Sequence, residues 1–191
     1  MLSLERRVKQ GDYTRTVYTW IKDGKTRKKQ GCIMVWVIDN LIILGNYKDA
    51  VLFLNDQLII NGDSRAGLSL LGYCHFVNQD FNNAAASYEQ LTHLFPDVNE
   101  YKIYHAQCLY HLCRYDEALR VTCSLDQDSE SQIVSLTKIQ AAIKYGQEDY
   151  SSCKLLIEQL SDDDSDREIN LGCILYKEGK YSAALDKFLN A

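Results

Sequence analysis

The chain has 191 residues, 46% hydrophobic and 25% charged, with a formal net charge of −5 from 21 basic and 26 acidic side chains. This is globular composition, long enough to bury a core, and the acidic balance gives no general attraction to nucleic acid. A single Pro and 10 Gly leave too few turn residues for a many-stranded sandwich and favour helices. The seven cysteines, at 32, 74, 108, 113, 123, 153 and 173, are odd in number and contain no Cys-x-x-Cys pair. They read as reduced, small core residues of a cytosolic-type compartment.

Met1 to Gly24 opens with mixed charge and continues as YTRTVYTWIKDG, where Tyr13, Val17, Trp20 and Ile21 recur at helical spacing and predict a short amphipathic helix. No apolar signal core follows its basic residues. KTRKKQG then leads into CIMVWVIDNLIILG, apolar from Cys32 to Leu44 except for Asp39-Asn40. That run is too short to span a membrane, which takes about 20 apolar residues. A buried helix is favoured over a buried strand or a membrane-surface segment.

From Asn46 a repeat takes over. Arg65 to Pro96, RAGLSLLGYCHFVNQDFNNAAASYEQLTHLFP, is a complete tetratricopeptide unit: Leu68, Leu71, Gly72, Ala84, Tyr88 and Pro96 fill the slots of the repeat template, and His75 alone departs. Gly72 and Ala84 are small because two helices cross there, and Asn78-Gln79-Asp80 supplies the turn between them. The aromatic opening each second helix recurs at Tyr47, Phe81, Tyr115, Tyr150 and Tyr181. The small residue three places on recurs at Ala50, Ala84, Ala118, Cys153 and Ala184, and the small slot of the first helices at Gly72, Ala106, Ala141 and Gly172. These columns predict an all-α, right-handed superhelix of tetratricopeptide hairpins over 46–191. SDDDSD, from Ser161 to Asp166, reads as a solvated loop without a ligand, since it lacks the Gly and distal Glu of an EF-hand.

First helices line the concave side of such an array. Four places after each small slot stand Phe76, Tyr110, Tyr145 and Tyr176, a ladder of aromatics expected down the inner wall. Tyr73, Gln107 and Cys173, about one turn back, share that wall with Lys138. The rings are either platforms for an extended, polyproline-type peptide or helix-to-helix packing. No phosphate loop, nucleophile elbow or paired-histidine zinc helix is present, so no enzyme activity and no cofactor are expected. The cluster His105, Cys108, His111 and Cys113 has two members in positions that face other helices and no second ligand pair, so ordinary packing is expected over zinc. The basic run Lys25, Arg27, Lys28 and Lys29 is an isolated patch in an acidic chain and reads as a solvated loop.

The phrases SRAGLSLLGYC, YEQL, IQAAIKY and INLGCILYKEGKY resemble the N-terminal repeats of the fleer-type tetratricopeptide subunits of the intraflagellar transport B complex, the tetratricopeptide repeat protein 30 family. The resemblance covers Asn46 to Ala191 and extends to Lys9–Gly24. It implies a non-enzymatic scaffold of the cilium and cytoplasm whose superhelix closes around a proline-rich stretch of a partner subunit. Its partners would be intraflagellar transport B subunits and kinesin-driven transport machinery, with no nucleic acid and no membrane span. Roles in cilium assembly and in polyglutamylation of axonemal tubulin are implied as well. Family members run directly from a helix like YTRTVYTWIKDG into one like NYKDAVLFLNDQL, and joining Gly24 to Asn46 restores a repeat of normal length. Residues 1–24 are thus expected to form the first helix of the array and 25–45 an insert, a buried helix or disordered, whose composition fits a splicing variant or a translated intron. Met34 to Leu44 competes with Tyr13 to Ile21 for the same place beside Ala50.

Overall fold

A computed structural model describes residues 36–62, 64–123, 125, 130–161 and 164–190. The expected helix at Tyr13–Ile21, the basic run at 25–29, Cys32, and Asp162 and Asp163 of the acidic run lie outside the described residues. Every regular element among the described residues is an α-helix. Residues 36–43 form α1, followed by α2 (Tyr47–Asn61), α3 (Arg65–Val77), α4 (Phe81–Leu94), α5 (Asn99–His111) and α6 (Tyr115–Cys123). After them come α7 (Glu130–Gly146), α8 (Tyr150–Glu158), α9 (Ser165–Lys177) and α10 (Tyr181–Leu189). They pair as five successive hairpins, each odd-numbered helix with the next.

One turn is used five times. Gly45, Gln79, Cys113, Glu148 and Gly179 all have positive φ, between 58° and 78°. The residue after each donates its N–H back to the carbonyl five positions earlier, as from Asp80 to His75 at 2.9 Å and from Asp149 to Lys144 at 3.0 Å. This left-handed cap closes the last turn of the first helix. The following residue then opens the second: Asp80 accepts from the Asn83 amide at 3.3 Å and Asp149 from the Ser152 amide at 3.1 Å, satisfying donors the helix start leaves unpaired. Helix α4 ends at Leu94, capped by Phe95, because the residue before Pro96 is pushed out of helical geometry.

Inside the second to fifth hairpins, residue volumes match across the crossing. The position opposite the first-helix small slot is Tyr88 or Phe188 where that slot is Gly72 or Gly172, and Thr122 or Ile157 where it is Ala106 or Ala141. A Cβ built on Gly72 would stand 2.9 Å from Tyr88 Cζ, and one on Gly172 would stand 2.6 Å from Phe188 Cε1. Only glycine lets a ring lie on the helix backbone.

The core is a row of four clusters. Ile38, Ala50, Leu54, Leu71 and Cys74 join the first two hairpins, and Leu68, Ala84, Tyr88, Leu91, Tyr101 and Cys108 join the second to the third. Ala106, Leu109, Ala118, Leu136, Ile139 and Ile143 continue to the fourth, and Ala141, Cys153, Ile157, Leu171 and Ile174 to the fifth. Each cluster joins a hairpin to its immediate neighbour, the arrangement of a solenoid. Arg65 ties the second hairpin to the third: its Nε donates to Tyr101 Oη at 2.7 Å and its guanidinium lies over the rings of Phe95 and Tyr101. Cys74, Cys108 and Cys153 are buried in this row, whereas Cys113 and Cys123 are exposed. Burial pushes the Cys108 thiol up to about 12 and the Cys153 thiol up to about 11, which leaves both protonated and inert.

The segment 36–43 takes the first-helix place beside Ala50 and Leu54. It is a helix with one buried side rather than a buried helix: Ile38 is 6% exposed, Ile43 58% and Leu44 50%. Two further apolar surfaces face solvent, Leu52, Ile59 and Ile60 on α2, and Tyr181, Leu185 and Leu189 on α10.

Candidate peptide-binding groove

The first helices α3, α5, α7 and α9 carry the aromatic ladder at their last turn. Each rung packs edge-on or tilted against the aromatic that opens the following helix, five residues on: Phe76 with Phe81 at 5.5 Å, Tyr110 with Tyr115 at 6.0 Å, Tyr145 with Tyr150 at 5.7 Å and Tyr176 with Tyr181 at 5.3 Å. The left-handed turn brings the two positions together, so the rungs brace the hairpins as well as facing outward. His111 ties the second rung to the first. Its ring stacks on Phe81 at 4.4 Å and 9° and meets Phe76 at 5.4 Å, and burial holds its pKa below the ordinary imidazole value.

Two adjoining clefts open on this wall. One of about 470 Å³ is bounded by Phe76, Gln107, Tyr110, His111 and Lys138. The other, of about 260 Å³, is bounded by Tyr110, Lys138, Tyr145, Asn170 and Cys173. Tyr110, Lys138 and Ala142 belong to both, so the two form one trough across four hairpins, the second to the fifth. Six of the residues expected on the wall, Phe76, Gln107, Tyr110, Lys138, Tyr145 and Cys173, therefore come together. Tyr73 and Tyr176 line neither cleft. Tyr73 is exposed and sits 6.3 Å from the Tyr47 ring, with burial and then Tyr47 raising its pKa. Tyr176 stands 57% exposed at the far end.

Lys138 is not a loose cation. Its Nζ lies 2.9 Å from Asp164 Oδ2 and 2.9 Å from Asp166 Oδ2, and those carboxylates raise its pKa while Lys138 lowers that of Asp164. The two Asp residues come from the run read as a solvated loop. Asp164 also caps α9 by accepting from the Asp166 amide at 3.0 Å, so this part of the loop fastens the fourth hairpin to the fifth. The trough is left close to neutral, with ring edges, small side chains and the amides of Gln107 and Asn170. Burial raises the Tyr145 pKa above the usual phenol value, so its hydroxyl stays a donor. Rings and amides together suit an extended chain: the rings cover apolar side chains and the amides pair with backbone groups.

His111, Ala142 and Asn170 are trough residues that the ladder count passes over. Ala142 stands one place after the Ala141 slot, the register of Tyr73, Gln107 and Cys173, and its small size leaves the two clefts connected. His111 has no register signal of its own, since it is held by a ring 30 residues away in sequence. The four-residue cluster around it does not converge: Cys108 is buried in the core and Cys113 exposed at the turn, and among the described residues no group of three or more metal-ligating side chains occurs. No helix among them is long and apolar enough to cross a membrane.

Stacked two-helix units with an inner trough define an all-α repeat protein of tetratricopeptide type. A thermophilic TPR protein of Thermus thermophilus superposes with a TM-score of 0.62 at 16% identity, over 83% of this chain and 88% of that one, a likeness of fold alone. The family model described as Intraflagellar transport protein 56 matches residues 68–190. Intraflagellar transport protein 70A of Danio rerio is 44% identical over 184 residues, 96% of this chain and 25% of the relative. The Tetratricopeptide repeat protein 30 homolog of Caenorhabditis briggsae is 40% identical over 184 residues, 96% of this chain and 24% of the relative. The chain belongs to this family of intraflagellar transport tetratricopeptide repeat proteins, and spans about a quarter of the length of these relatives.

Proposed function

We propose that this chain is part of a non-enzymatic scaffold of the intraflagellar transport B complex, holding an extended, proline-rich segment of a partner subunit in the trough between Phe76 and Cys173. The observation that carries the reading is the continuity of the two clefts across Tyr110, Lys138 and Ala142. A segment already extended loses little chain entropy on docking, and pyrrolidine rings stack on aromatic faces. In this reading Tyr110 and Tyr145 are the platforms, Gln107 and Asn170 pair with the ligand backbone, and Lys138, held by Asp164 and Asp166, supplies its aliphatic stem to the wall. The place of action is the cilium and the cytoplasm that supplies it, in contact with kinesin-driven transport, with cilium assembly and axonemal tubulin polyglutamylation as the downstream needs. The names of the relatives support the transport assignment.

Proline-rich peptides from transport-complex subunits, titrated against the folded chain by calorimetry, test this. Tyr110→Ala with Tyr145→Ala is expected to weaken binding at least about tenfold. Unchanged affinity removes the ladder from the mechanism. Binding of unrelated adaptor peptides with equal strength favours a tetratricopeptide adaptor of another cytosolic complex.

A further inference from the structure

Two carboxylates share one cation at the rim of the trough. Among the described residues that bound its two clefts, Lys138 is the one Lys, Arg, Asp or Glu. Its Nζ lies 2.9 Å from Asp164 Oδ2 and 2.9 Å from Asp166 Oδ2, so two carboxylates against one ammonium leave one surplus negative charge. The two acids differ in what they can still do. The Asp164 side chain is 14% exposed and caps α9. The Asp166 side chain is 58% exposed; its Oδ2 accepts from Lys138, and among the described residues its Oδ1 has no partner.

Helical register turns Asp166 toward the trough. Asp166, Asn170 and Cys173 stand at i, i+4 and i+7 of α9, which places them on one face, and the last two line the trough. The other cations are placed elsewhere. Arg167 stands five places before Gly172, in the register of Tyr101 and Leu136, both buried, and its Nε is buried as well. Lys177 shares the face of Asp166 but stands at the other end of α9, about 16 Å along the axis, beyond the ~8 Å screening length of physiological salt. His111 borders the cleft nearer Phe76, and burial favours its neutral form.

From this geometry we propose that the segment held in the trough carries a basic residue, lysine or arginine, whose cation lies against the Asp166 carboxylate at the rim. The inference rests on the peptide-binding reading of the trough. Tyr110 and Tyr145 line the same cleft as Lys138, and aromatic faces attract cations as well. An acidic residue in that place would meet the surplus negative charge instead. The trough thus selects by sign among extended segments of similar shape.

The probe is an arrayed set of short host peptides of proline and leucine, with Lys, Gln or Glu placed at each position in turn, titrated against the folded chain by fluorescence anisotropy. At the favoured position Lys should bind about fivefold more tightly than Glu, the effect of gaining an exposed ion pair and losing a repulsion. That ratio should shrink toward about one at ~1 M salt. Asp166→Asn leaves Lys138 balanced by Asp164 alone and should bring the ratio to about one, whereas Lys138→Gln leaves two carboxylates unbalanced and should raise it. A general loss of structure would not move the ratio in opposite directions. Equal affinity of Lys and Glu at every position, or a Lys preference that survives Asp166→Asn, overturns the inference. Tyr110→Ala with Tyr145→Ala separates it from the reading it rests on. If that variant weakens every peptide while Lys and Glu bind alike, the trough holds peptides and the charge preference alone is refuted. If it weakens none, or no peptide binds, the peptide reading is refuted and this inference falls with it.

Discussion

Replacing Gly72 by alanine puts two effects of known size against each other. The substitution favours a helix interior by about 1 kcal/mol, the difference in propensity between the two residues. Against this, the new methyl would lie 2.9 Å from Cζ, 3.0 Å from Cε2 and 3.2 Å from Cε1 of Tyr88, inside contact distance. The ring is 5% exposed and packs on Tyr104 at 5.3 Å, so it has no open direction in which to yield. Overpacking of this kind costs about 1–3 kcal/mol. The net expectation is a loss of about 1 kcal/mol, or about 2–4 °C in Tm for a chain this long. Tyr88→Leu removes the obstructing ring and is itself destabilising. In that background Gly72→Ala should change sign and stabilise by up to about 1 kcal/mol, since an alanine slot faces Ile157 in the fourth hairpin. Circular-dichroism melts and urea titrations of the four proteins give the coupling, expected near about 2 kcal/mol. The same shift from Gly72→Ala in both backgrounds, within about 0.5 kcal/mol, would refute the volume-matching argument.

Gln79 holds a left-handed turn at φ 62°, so Gln79→Gly should raise stability by up to about 1 kcal/mol in the same denaturation assay. Asp80 caps α4, and Asp80→Ala should cost about 1 kcal/mol. Its carboxyl is held below the ordinary value, first by the Asn83 side chain, so its contribution is present above about pH 4 and disappears as pH falls through the lower folded pKa. His105 has its pKa lowered chiefly by burial. The unfolded chain therefore binds the extra proton first, and stability should fall as pH drops below about 6.5; a flat Tm between about pH 7 and 5, or the same slope in His105→Gln, would contradict this. Deleting residues 25–45 places Val17 nine positions before Tyr47, the register of Gly72 before Phe81. If that segment is an insert, the shortened chain should keep its helical content and melt no lower than the parent, and loss of cooperative unfolding would disprove it.

The repeat columns carried most of the fold. Two small residues and two aromatics recurring at a common interval identify which face of each helix meets its partner, because about 3.6 residues per turn ties position to direction. Gly72, Ala106, Ala141 and Gly172 were legible as crossing points for that reason, and Phe76, Tyr110 and Tyr145 as one wall. The same counting stops short of the spaces between hairpins. It does not separate Tyr73 and Tyr176, which line neither of the two clefts, from the other wall residues, and it passed over Ala142, whose small size joins the two clefts. It left Lys138 as a wall residue when Asp164 and Asp166, from the next hairpin, hold it at 2.9 Å.

By itself, then, the sequence determined helices, hairpins and stacking order, all of which follow from local periodicity and the size of one residue per crossing. Only the tertiary structure decided which rings border open space and which charge is neutralised. Those outcomes depend on distances between hairpins, and such distances are set by the summed volumes and charges of residues from different repeats, which no single period encodes.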